Sequence, residues 1–455
     1  MIKKYSNEKI VKDSLDLVLD YMEEHKDMFV KNPEKDFTRN RKLSFRDVIK
    51  LVLSMKGNTL NKELYDYFGQ DAEKIVKANA FVQQRDKIRE DAFEFLFGMF
   101  NDTMVNAKTY KGYRLLAVDG SDINVAYNKG ADTYIPSGRS KVSGAEMKGY
   151  NQVHLNAVYD LVNKVYTNAI LQPKGKMNER RAFLDMVKNT DHTERTLYIC
   201  DRGYPSWNVF ANFKYIQNAD FLIRYPNNGS HLTAGLPQTT LDVMRTIIVT
   251  TNSNYGSTKN SVSGNYYAFI KVKKNKMKNK DYSKTSDFVD WDFGEFEQLN
   301  LRIVRFEISD GVYETIITSL PKDRFPLSEI KKLYAMRWGI ETSFRELKYI
   351  IGLSQLHCRR EDFVREEIFA RLTMYNFCER ILSCVVIEQD ENRKYQYQVN
   401  FTMGMQICLD MFRSIISVEN MYELICKYIL PIRPDRADKR KMRHKTFVGF
   451  IYRVA

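Results

Sequence analysis

The spacing of apolar residues predicts a helical first part of the chain and a mixed remainder. Over residues 1–105 apolar side chains recur every three or four positions, the pattern that buries one face of a helix. Ser44 and Asp47 form a predicted cap before a helix in "FRDVIKLVLSMKG", and Gly57 is its predicted stop. A second helix is predicted in "LNKELYDYFG", and a third, capped by Asn79, in "NAFVQQRDKIREDAFEFLFGMF".

The first turns of the third predicted helix are polar and basic, because Gln83, Gln84, Arg85 and Lys87 lie close together there. Three short helices with such residues at the start of the third suit a helix-turn-helix DNA reader. A helical bundle with a polar outer face explains the same pattern equally well. The sequence leaves both interpretations open.

From residue 113 the pattern changes to that of a mixed sheet. "YRLLAVDGSDINV" predicts a strand that ends in a turn at Asp119-Gly120-Ser121, and "NQVHLNAVYDLVNKVYTNAILQP" alternates as a hairpin does. A helix in "NERRAFLDMVKN", a strand in "RTLYICDRGY", a helix in "PSWNVFANFKYIQ" and a strand in "DFLIRYP" follow. This order predicts a mixed sheet that is covered by helices.

Residues 227–318 interrupt that order. They are rich in Thr, Ser, Asn and Tyr and contain runs with period-two alternation, which predict an antiparallel β insertion. Within it, "KVKKNKMKNKDYSK" carries seven lysines and is predicted to be either a solvated loop or an arm that contacts phosphates.

The stretch "LYAMRWGIETSFRELK" after the insertion predicts an amphipathic helix with an uncommon polar face. That face carries Tyr334, Arg337, Glu341, Arg345 and Lys348 at steps of three and four residues. One carboxylate therefore stands in a row of cations and a phenol. Taken alone, Glu341 is an ordinary ion-pair partner of Arg337 one turn away.

The net charge favours a polyanionic partner. The 455 residues include 71 Lys and Arg against 57 Asp and Glu, a formal charge of +14. Such a field attracts nucleic acid or an anionic membrane surface, although a basic protein without such a partner is also possible. The six cysteines form no metal-binding spacing, and no membrane span or signal-peptide core is evident, so a reducing cytosolic location is expected.

Three acids occupy positions that suggest one site. Asp119 ends the first predicted strand, Asp201 ends the strand "TLYIC", and Glu341 lies on the helix after the insertion. Ends of adjacent strands meet at one rim of a sheet, and converging carboxylates offer Mg²⁺ the hard oxygen ligands it takes. Each acid alone has a structural explanation, as a turn, cap or salt bridge, and Asp122 competes with Asp119 as the ligand.

The combined motifs resemble one enzyme family. Tyr334, Arg337, Glu341 and Lys348 match in full its signature of Tyr, two residues, Arg, three residues, Glu, six residues and Lys. "DGS" from Asp119 and "DRGY" from Asp201 match its other two motifs. On these residues the chain resembles a DDE transposase of the insertion-sequence 4 family, the relatives of the Tn-five and Tn-ten transposases. The resemblance covers roughly residues 40–455.

The resemblance implies an α/β fold with a ribonuclease H-like mixed-sheet catalytic core. Asp119, Asp201 and Glu341 would be catalytic ligands of Mg²⁺, for which Mn²⁺ could substitute. The expected activity is cutting double-stranded DNA at the inverted repeats of a transposon end and joining the freed 3′-hydroxyl to target DNA. A homodimer in a paired-end complex is expected to do this in the bacterial cytoplasm, associated with the nucleoid.

The resemblance also implies DNA contacts. Arg337 and Lys348 would neutralise phosphates near the scissile bond, and Tyr334 would donate a hydrogen bond to one. The other expected DNA-binding residues are Arg345, Arg202 and Trp291. Some relatives hold a flipped base on an aromatic side chain, a role for which Trp291 is a candidate. The alternative for Trp291, a core residue of the β insertion, is favoured.

The expected organisation has five parts: a helical N-terminal DNA-binding domain (1–105), the first part of the core (106–226), the β-rich insertion (227–318), the second part with the Glu helix (319–390), and a helical C-terminal region with a basic tail (391–455). Two rival functions remain: a metal-dependent nuclease that cuts without joining, and a DNA-binding relative without catalysis. The basic runs lack an adjacent apolar helical face, so no membrane role is expected.

Overall fold

The structure is a computed structural model that describes residues 6–69, 71–105, 107–139, 146–226, 232–233, 235–252, 259–262, 265–271, 273–274, 288–289, 291–389 and 394–433. Its α-helices are α1 (Ser6–Glu24), α2 (Phe45–Ser54), α3 (Leu60–Tyr67), α4 (Ala78–Arg85), α5 (Ala92–Asp102), α6 (Glu179–Lys188), α7 (Trp207–Phe213), α8 (Leu327–Met336), α9 (Trp338–Tyr349), α10 (Glu361–Leu382), α11 (Phe401–Phe412) and α12 (Val418–Lys427).

The strands are β1 (Arg114–Val125), β2 (Tyr134–Ile135), β3 (Gly138–Arg139), β4 (Glu146–Met147), β5 (Tyr150–Asp160), β6 (Val165–Pro173), β7 (Thr196–Cys200), β8 (Ala219–Tyr225), β9 (Leu241–Thr250), β10 (Lys259–Val262), β11 (Asn265–Lys271), β12 (Lys273–Lys274), β13 (Phe288–Val289), β14 (Phe296–Ser309), β15 (Val312–Thr318), β16 (Tyr397–Val399) and β17 (Ile429–Pro431).

One large mixed sheet organises the molecule. Its middle runs in the order β6-β5-β1-β7-β8, with β1, β7 and β8 parallel to one another and β5 antiparallel to β1. Nearly every residue of β5 is buried, as expected for a strand covered on both faces. The predicted hairpin (β5 and β6) and the later order α6, β7, α7, β8 are confirmed.

Helices cover both faces of this sheet. On one face Ala117 and Ile123 of β1 join a hydrophobic cluster that includes α9, α10 and the N-terminal helices. On the other face Leu116 and Val118 join a cluster built on α6 and α7. Helix α10 is buried along most of its length, because the N-terminal helices, α11 and the sheet pack around it.

Two predictions for the N-terminal helices need correction. The capping box of Ser44 and Asp47 is confirmed, but α2 already ends at Ser54, before Gly57. The third predicted helix is two helices, α4 and α5, and α4 is preceded by Lys77 as its N-cap instead of starting at Asn79. The helix is interrupted between α4 and α5 because Ile88 is fully buried there and forms a β-bridge with Val30.

The first predicted strand is longer than expected. The Asp-Gly-Ser stretch is not a turn, because β1 continues to Val125. A continuous antiparallel ladder with β5, from Leu116 opposite Asp160 to Val125 opposite Asn151, holds the segment extended. Asp119 is therefore a residue within a strand. The local turn tendency of Asp-Gly is overridden by long-range pairing.

The predicted β insertion extends the core sheet. Strand β15 pairs with β8, and β14, β9, β11 and β10 follow outward. The pairs are antiparallel except β9 with β11, which are parallel, so the prediction of a purely antiparallel insertion was wrong. Most of the predicted lysine-rich segment and of the basic tail lies outside the described residues. None of the described helices is both long and apolar enough to cross a membrane.

Candidate catalytic site

Asp119 and Asp201 lie side by side because each directly follows the last paired residue of the parallel strands β1 and β7. The parallel ladder between β1 and β7 ends with Val118 opposite Cys200, and each acid is the next residue of its chain. Burial raises the pKa of Asp119 to about 6, against the opposing effects of the Gly120 amide and the Arg337 guanidinium. The Gly120 N–H donates to Asp119 Oδ1 at 2.9 Å.

Glu341 approaches from the helical layer on the same face as Asp119. The helix predicted as one stretch is two helices, α8 and α9, which meet at Arg337. Ile340, Phe344 and Leu347 are buried and fix α9 against the sheet. Glu341 lies at the edge of this buried face, in the first turn of α9, so the anchoring directs it toward the rim that carries Asp119 and Asp201.

Arg337 lies among the three acids. Its Nη2 is 2.5 Å from Glu341 Oε1, and its Nη1 is 3.6 Å from Asp119 Oδ2. The Arg337 side chain is only 4% exposed, whereas those of Asp119 and Glu341 are 26% and 35% exposed. Arg337 Nε and Nη1 have no hydrogen-bond partner among the described residues. The guanidinium is thus an internal counter-ion of an acid group that reaches the surface.

Asp201 has its own partners. The Tyr334 hydroxyl donates to Asp201 Oδ1 at 3.2 Å, and burial raises the pKa of this phenol well above its usual value, so it stays protonated. Arg224 Nη1 lies 3.7 Å from Asp201 Oδ1, and Arg224 Nη2 lies 3.1 Å from Glu314. Sequence reasoning missed Arg224, although a basic residue near the end of the strand "DFLIRYP" was a usable signal.

Asp122 does not belong to this acid group. His154 Nδ1 lies 2.6 Å and Lys174 Nζ 2.9 Å from Asp122 Oδ1, and together they lower the pKa of Asp122 to about 2 despite its burial. Lys348 Nζ donates to the Asp122 carbonyl at 2.8 Å. Lys348 therefore contacts the backbone of β1. No local sequence pattern predicted a role for His154 or Lys174 at this site.

The remaining predicted DNA contacts differ in position. Arg345 and Arg202 are exposed. Trp291 is 9% exposed, packs with Phe293 in the cluster on the α7 face, and donates from Nε1 to the Gly294 carbonyl at 2.9 Å. This position is that of a core residue. In this arrangement the Trp291 ring is not exposed for a DNA base to stack on it.

In the predicted third helix, Arg85 is not exposed on a surface that could contact DNA. That side chain is buried, with Nε 2.6 Å from Glu366 and Nη1 2.9 Å from Glu367. It connects α4 to α10. Of the two interpretations left open for this helix, a helical bundle fits Arg85, because two buried carboxylates on a distant helix hold its side chain inside.

The donor set of the acid group suits a hard divalent cation, since all three side chains offer carboxylate oxygens. In the described part of the chain no three His, Cys, Asp or Glu side chains are close enough together to hold one ion. Asp119, Asp201 and Glu341 instead surround the guanidinium of Arg337. Their carboxylate oxygens suit a divalent metal. In this structure the carboxylates are instead paired with the guanidinium groups of Arg337 and Arg224 and with the Tyr334 hydroxyl.

Known proteins share this framework. Residues 110–377, more than half of the chain, match the family described as transposase DDE domain. The transposase for insertion sequence element IS421 of Escherichia coli is 31% identical over 72 residues, 16% of this chain and 19% of that protein. InsL, named as a transposase of insertion sequence element IS186A of Escherichia coli (strain K12), is 31% identical over 72 residues, 16% of this chain and 20% of that protein.

The chain thus spans about a fifth of the length of these curated relatives. Among solved structures, the piggyBac transposase synaptic complex with hairpin DNA aligns with 96% of this chain and 88% of that chain, at a TM-score of 0.45 and 8% identity.

Proposed function

Because the chain belongs to the family of transposase DDE domains, we propose that it is a DNA transposase of the insertion-sequence 4 family. It cuts the ends of an insertion sequence and joins them to target DNA. The observation that carries this proposal is the acid group itself. Two acids follow the paired ends of β1 and β7, and a third lies on a helix over them, with one buried guanidinium between.

The strand order supports a ribonuclease H-like core. Five strands run β6-β5-β1-β7-β8, the last three parallel, and the acids Asp119 and Asp201 lie where the β1–β7 pairing ends. Ligand sites in such sheets form at the carboxyl ends of adjacent strands. The five-part organisation with boundaries at 105, 226, 318 and 390 belongs to the same proposal.

Asp119, Asp201 and Glu341 would hold Mg²⁺, or Mn²⁺ in its place. A bound divalent metal would activate the attacking oxygen and stabilise the charge that develops on the phosphoryl oxygens. Tyr334 and Arg224 orient Asp201 through its Oδ1. Arg337, which pairs with Glu341 here, would be able to bind a DNA phosphate if a divalent cation neutralised the carboxylates.

The reaction has two displacements. The oxygen of a water attacks the phosphorus at the element end, the bond to the 3′ oxygen breaks, and a 3′-hydroxyl is released. That hydroxyl then attacks a target phosphodiester, forms the new bond and releases a target 3′-hydroxyl. Exposed Arg345 and Arg202 would contact phosphates, together with Lys348. A homodimer on double-stranded DNA, bound to the nucleoid of a bacterial cell, would hold both ends.

The test uses a DNA duplex that carries the terminal repeats flanking the coding sequence. Cleavage and joining to a plasmid are measured with Mg²⁺ and with EDTA, for wild type, Glu341→Gln and Glu346→Gln. Glu346 lies on the same helix, where its carboxylate accepts from Tyr375, and serves as the matched control. We expect Mg²⁺-dependent cutting and joining that Glu341→Gln abolishes and Glu346→Gln retains. Cutting without joining would identify a nuclease, and binding without cutting a non-catalytic relative.

A further inference from the structure

The segment from Asp119 to Asp122 is supported by a neighbouring strand on one edge alone. Pairing of β1 with β7 ends at Val118, while pairing with β5 continues to Val125. A catalytic carboxylate must be held within a fraction of an ångström of its working position. Something other than a second ladder must therefore fix Asp119 within the described fold.

A buried histidine connects this segment to the helix behind it. His154 lies directly opposite Asp122 in the β1–β5 ladder, and its side chain is 3% exposed. Its Nδ1 is 2.6 Å from Asp122 Oδ1, and its Nε2 is 3.0 Å from Oε1 of Glu179, in the first turn of α6. The ring thus hydrogen-bonds a carboxylate of the sheet through Nδ1 and lies at ion-pair distance from a carboxylate of α6 through Nε2, which has no hydrogen-bond partner among the described residues; we call this arrangement the bridge.

The His154 and Glu179 side chains pack closely against the backbone of Gly120, next to Asp119. A Cβ on Gly120 would lie 2.4 Å from His154 Nε2 and 2.8 Å from Glu179 Oε1, so only glycine allows this approach. Gly120 is bonded to Asp119 and donates its N–H to Asp119 Oδ1. The bridge is therefore one residue away from the carboxylate and on the opposite face of the sheet.

The other face of the segment is held as well. Lys348 of α9 donates to the Asp122 carbonyl at 2.8 Å, and Asp119 points to that face because side chains alternate along a strand. The segment is thus clamped between α9 on one side and α6 on the other. Both clamps act within three residues of Asp119.

We propose that His154 and Glu179, through Asp122 and Gly120, form a positioning unit that fixes the Asp119 carboxylate for the reaction. None of these residues is proposed to touch DNA or metal. The inference rests on the proposed transposase function and adds residues outside the three family motifs, apart from Gly120, to its machinery. A displaced Asp119 would slow the chemical step without weakening DNA binding.

The first test compares Glu179→Ala with Glu179→Gln in single-turnover cleavage at saturating DNA. The alanine variant loses the oxygen that lies 3.0 Å from His154 Nε2, and glutamine keeps an oxygen with the same reach. We expect the alanine variant to cut at least about tenfold more slowly, with DNA affinity and melting temperature unchanged and with a higher Mg²⁺ concentration at half-maximal rate. Glutamine should recover most of the rate.

Asp185→Ala is the matched control. Asp185 is a carboxylate on α6 that pairs with Arg181 on the helix surface, and its removal should leave the rate unchanged. A lower melting temperature with an unchanged rate for Glu179→Ala would mean a purely structural contact and would overturn the proposal. Wild-type protein that fails to cut would instead refute the proposed function, so the two failures are separable.

A double-mutant cycle gives a second test. Gly120→Ala should cost more than tenfold in rate in the wild-type background, because the new methyl group meets the His154 ring. In a His154→Ala background the ring is gone, and the further loss caused by Gly120→Ala should shrink severalfold. Equal losses in both backgrounds would show that residues 120 and 154 act independently, which contradicts the proposal.

Discussion

Two regions of the molecule place a buried arginine among carboxylates, and they do so in opposite ways. The acid group of Asp119, Asp201 and Glu341 shares Arg337, and its carboxylates are about a quarter to a third exposed. Under α10, Arg85 is held by Glu366 and Glu367, with all three side chains 3% exposed or less. The first cluster is open to solvent and the second is closed.

The two clusters also differ in the hydrogen bonds that their side chains make. Arg85 also donates to the Phe363 carbonyl, and Glu367 accepts from the His357 amide, so the closed cluster is bonded in several directions. Arg337 Nε and Nη1 have no hydrogen-bond partner among the described residues, although Nη1 lies 3.6 Å from Asp119 Oδ2. The buried cluster ties α4 to α10, although Glu366 Oε1 also lacks a hydrogen-bond partner among the described residues, so solvent exposure is the main difference between the two clusters. The open cluster can exchange its cation because solvent reaches its carboxylates.

The largest expected effect comes from breaking the closed cluster. Arg85→Ala leaves two buried carboxylates without their cation, which should lower the free energy of unfolding by about 3–5 kcal/mol. Thermal or denaturant unfolding measures this loss. Added Mg²⁺ should not restore stability, because the site is enclosed. A loss below about 1 kcal/mol would show that the ion pair is not essential to the packing of α4 on α10.

The open cluster should respond differently to the same kind of change. Arg337→Gln removes the counter-ion of partly solvated acids, so we expect a smaller loss, about 1–2 kcal/mol, in EDTA. Millimolar Mg²⁺ should raise the melting temperature of this variant more than that of wild type, because the carboxylates no longer hold a guanidinium. An equal rise in both proteins would mean that Arg337 and the metal do not compete.

The pKa of Asp119 gives a prediction for pH. Burial raises it to about 6, so below pH 6 the metal-free protein carries a proton there that a cation must displace. Mn²⁺ affinity, measured by titration calorimetry, should therefore fall about tenfold from pH 7 to pH 5 and change little above pH 7. Asp119→Asn should bind Mn²⁺ more weakly and lose this part of the pH dependence. A variant with the wild-type pH profile would assign the proton to another group.

The sequence predicted the open cluster better than the closed one, for a physical reason. Asp201 and Glu341 belong to short motifs at the ends or on the faces of regular elements, which local patterns reveal. Arg85 bonds to Glu366 across 281 positions, and no local pattern encodes that contact. The sequence therefore left open whether Arg85 lies on a DNA-reading surface or inside a helical bundle. Its burial depends on α10, whose packing no single helix pattern specifies.

The same limit applied within β1. Asp-Gly is a local turn signal, and the strand was predicted to end there. The strand instead continues to Val125 because it pairs with β5 along the whole segment. The same pairing places Asp122 opposite His154. The hairpin and the capping box of Ser44 and Asp47 were predicted correctly because they depend on residues close in sequence.

The smallest expected effect concerns the exposed cations around the open cluster. Arg345→Ala should weaken binding to duplex DNA severalfold and lower the slope of log affinity against log salt by about one, as one lost phosphate contact does. Lys332→Ala is the control, since Lys332 is also exposed but lies on α8, before the acid-bearing helix. Fluorescence anisotropy over a range of salt concentrations measures both. Equal slopes for the two variants would place the DNA elsewhere, whereas a change for Arg345 alone would assign the phosphate track to the α9 side of the open cluster.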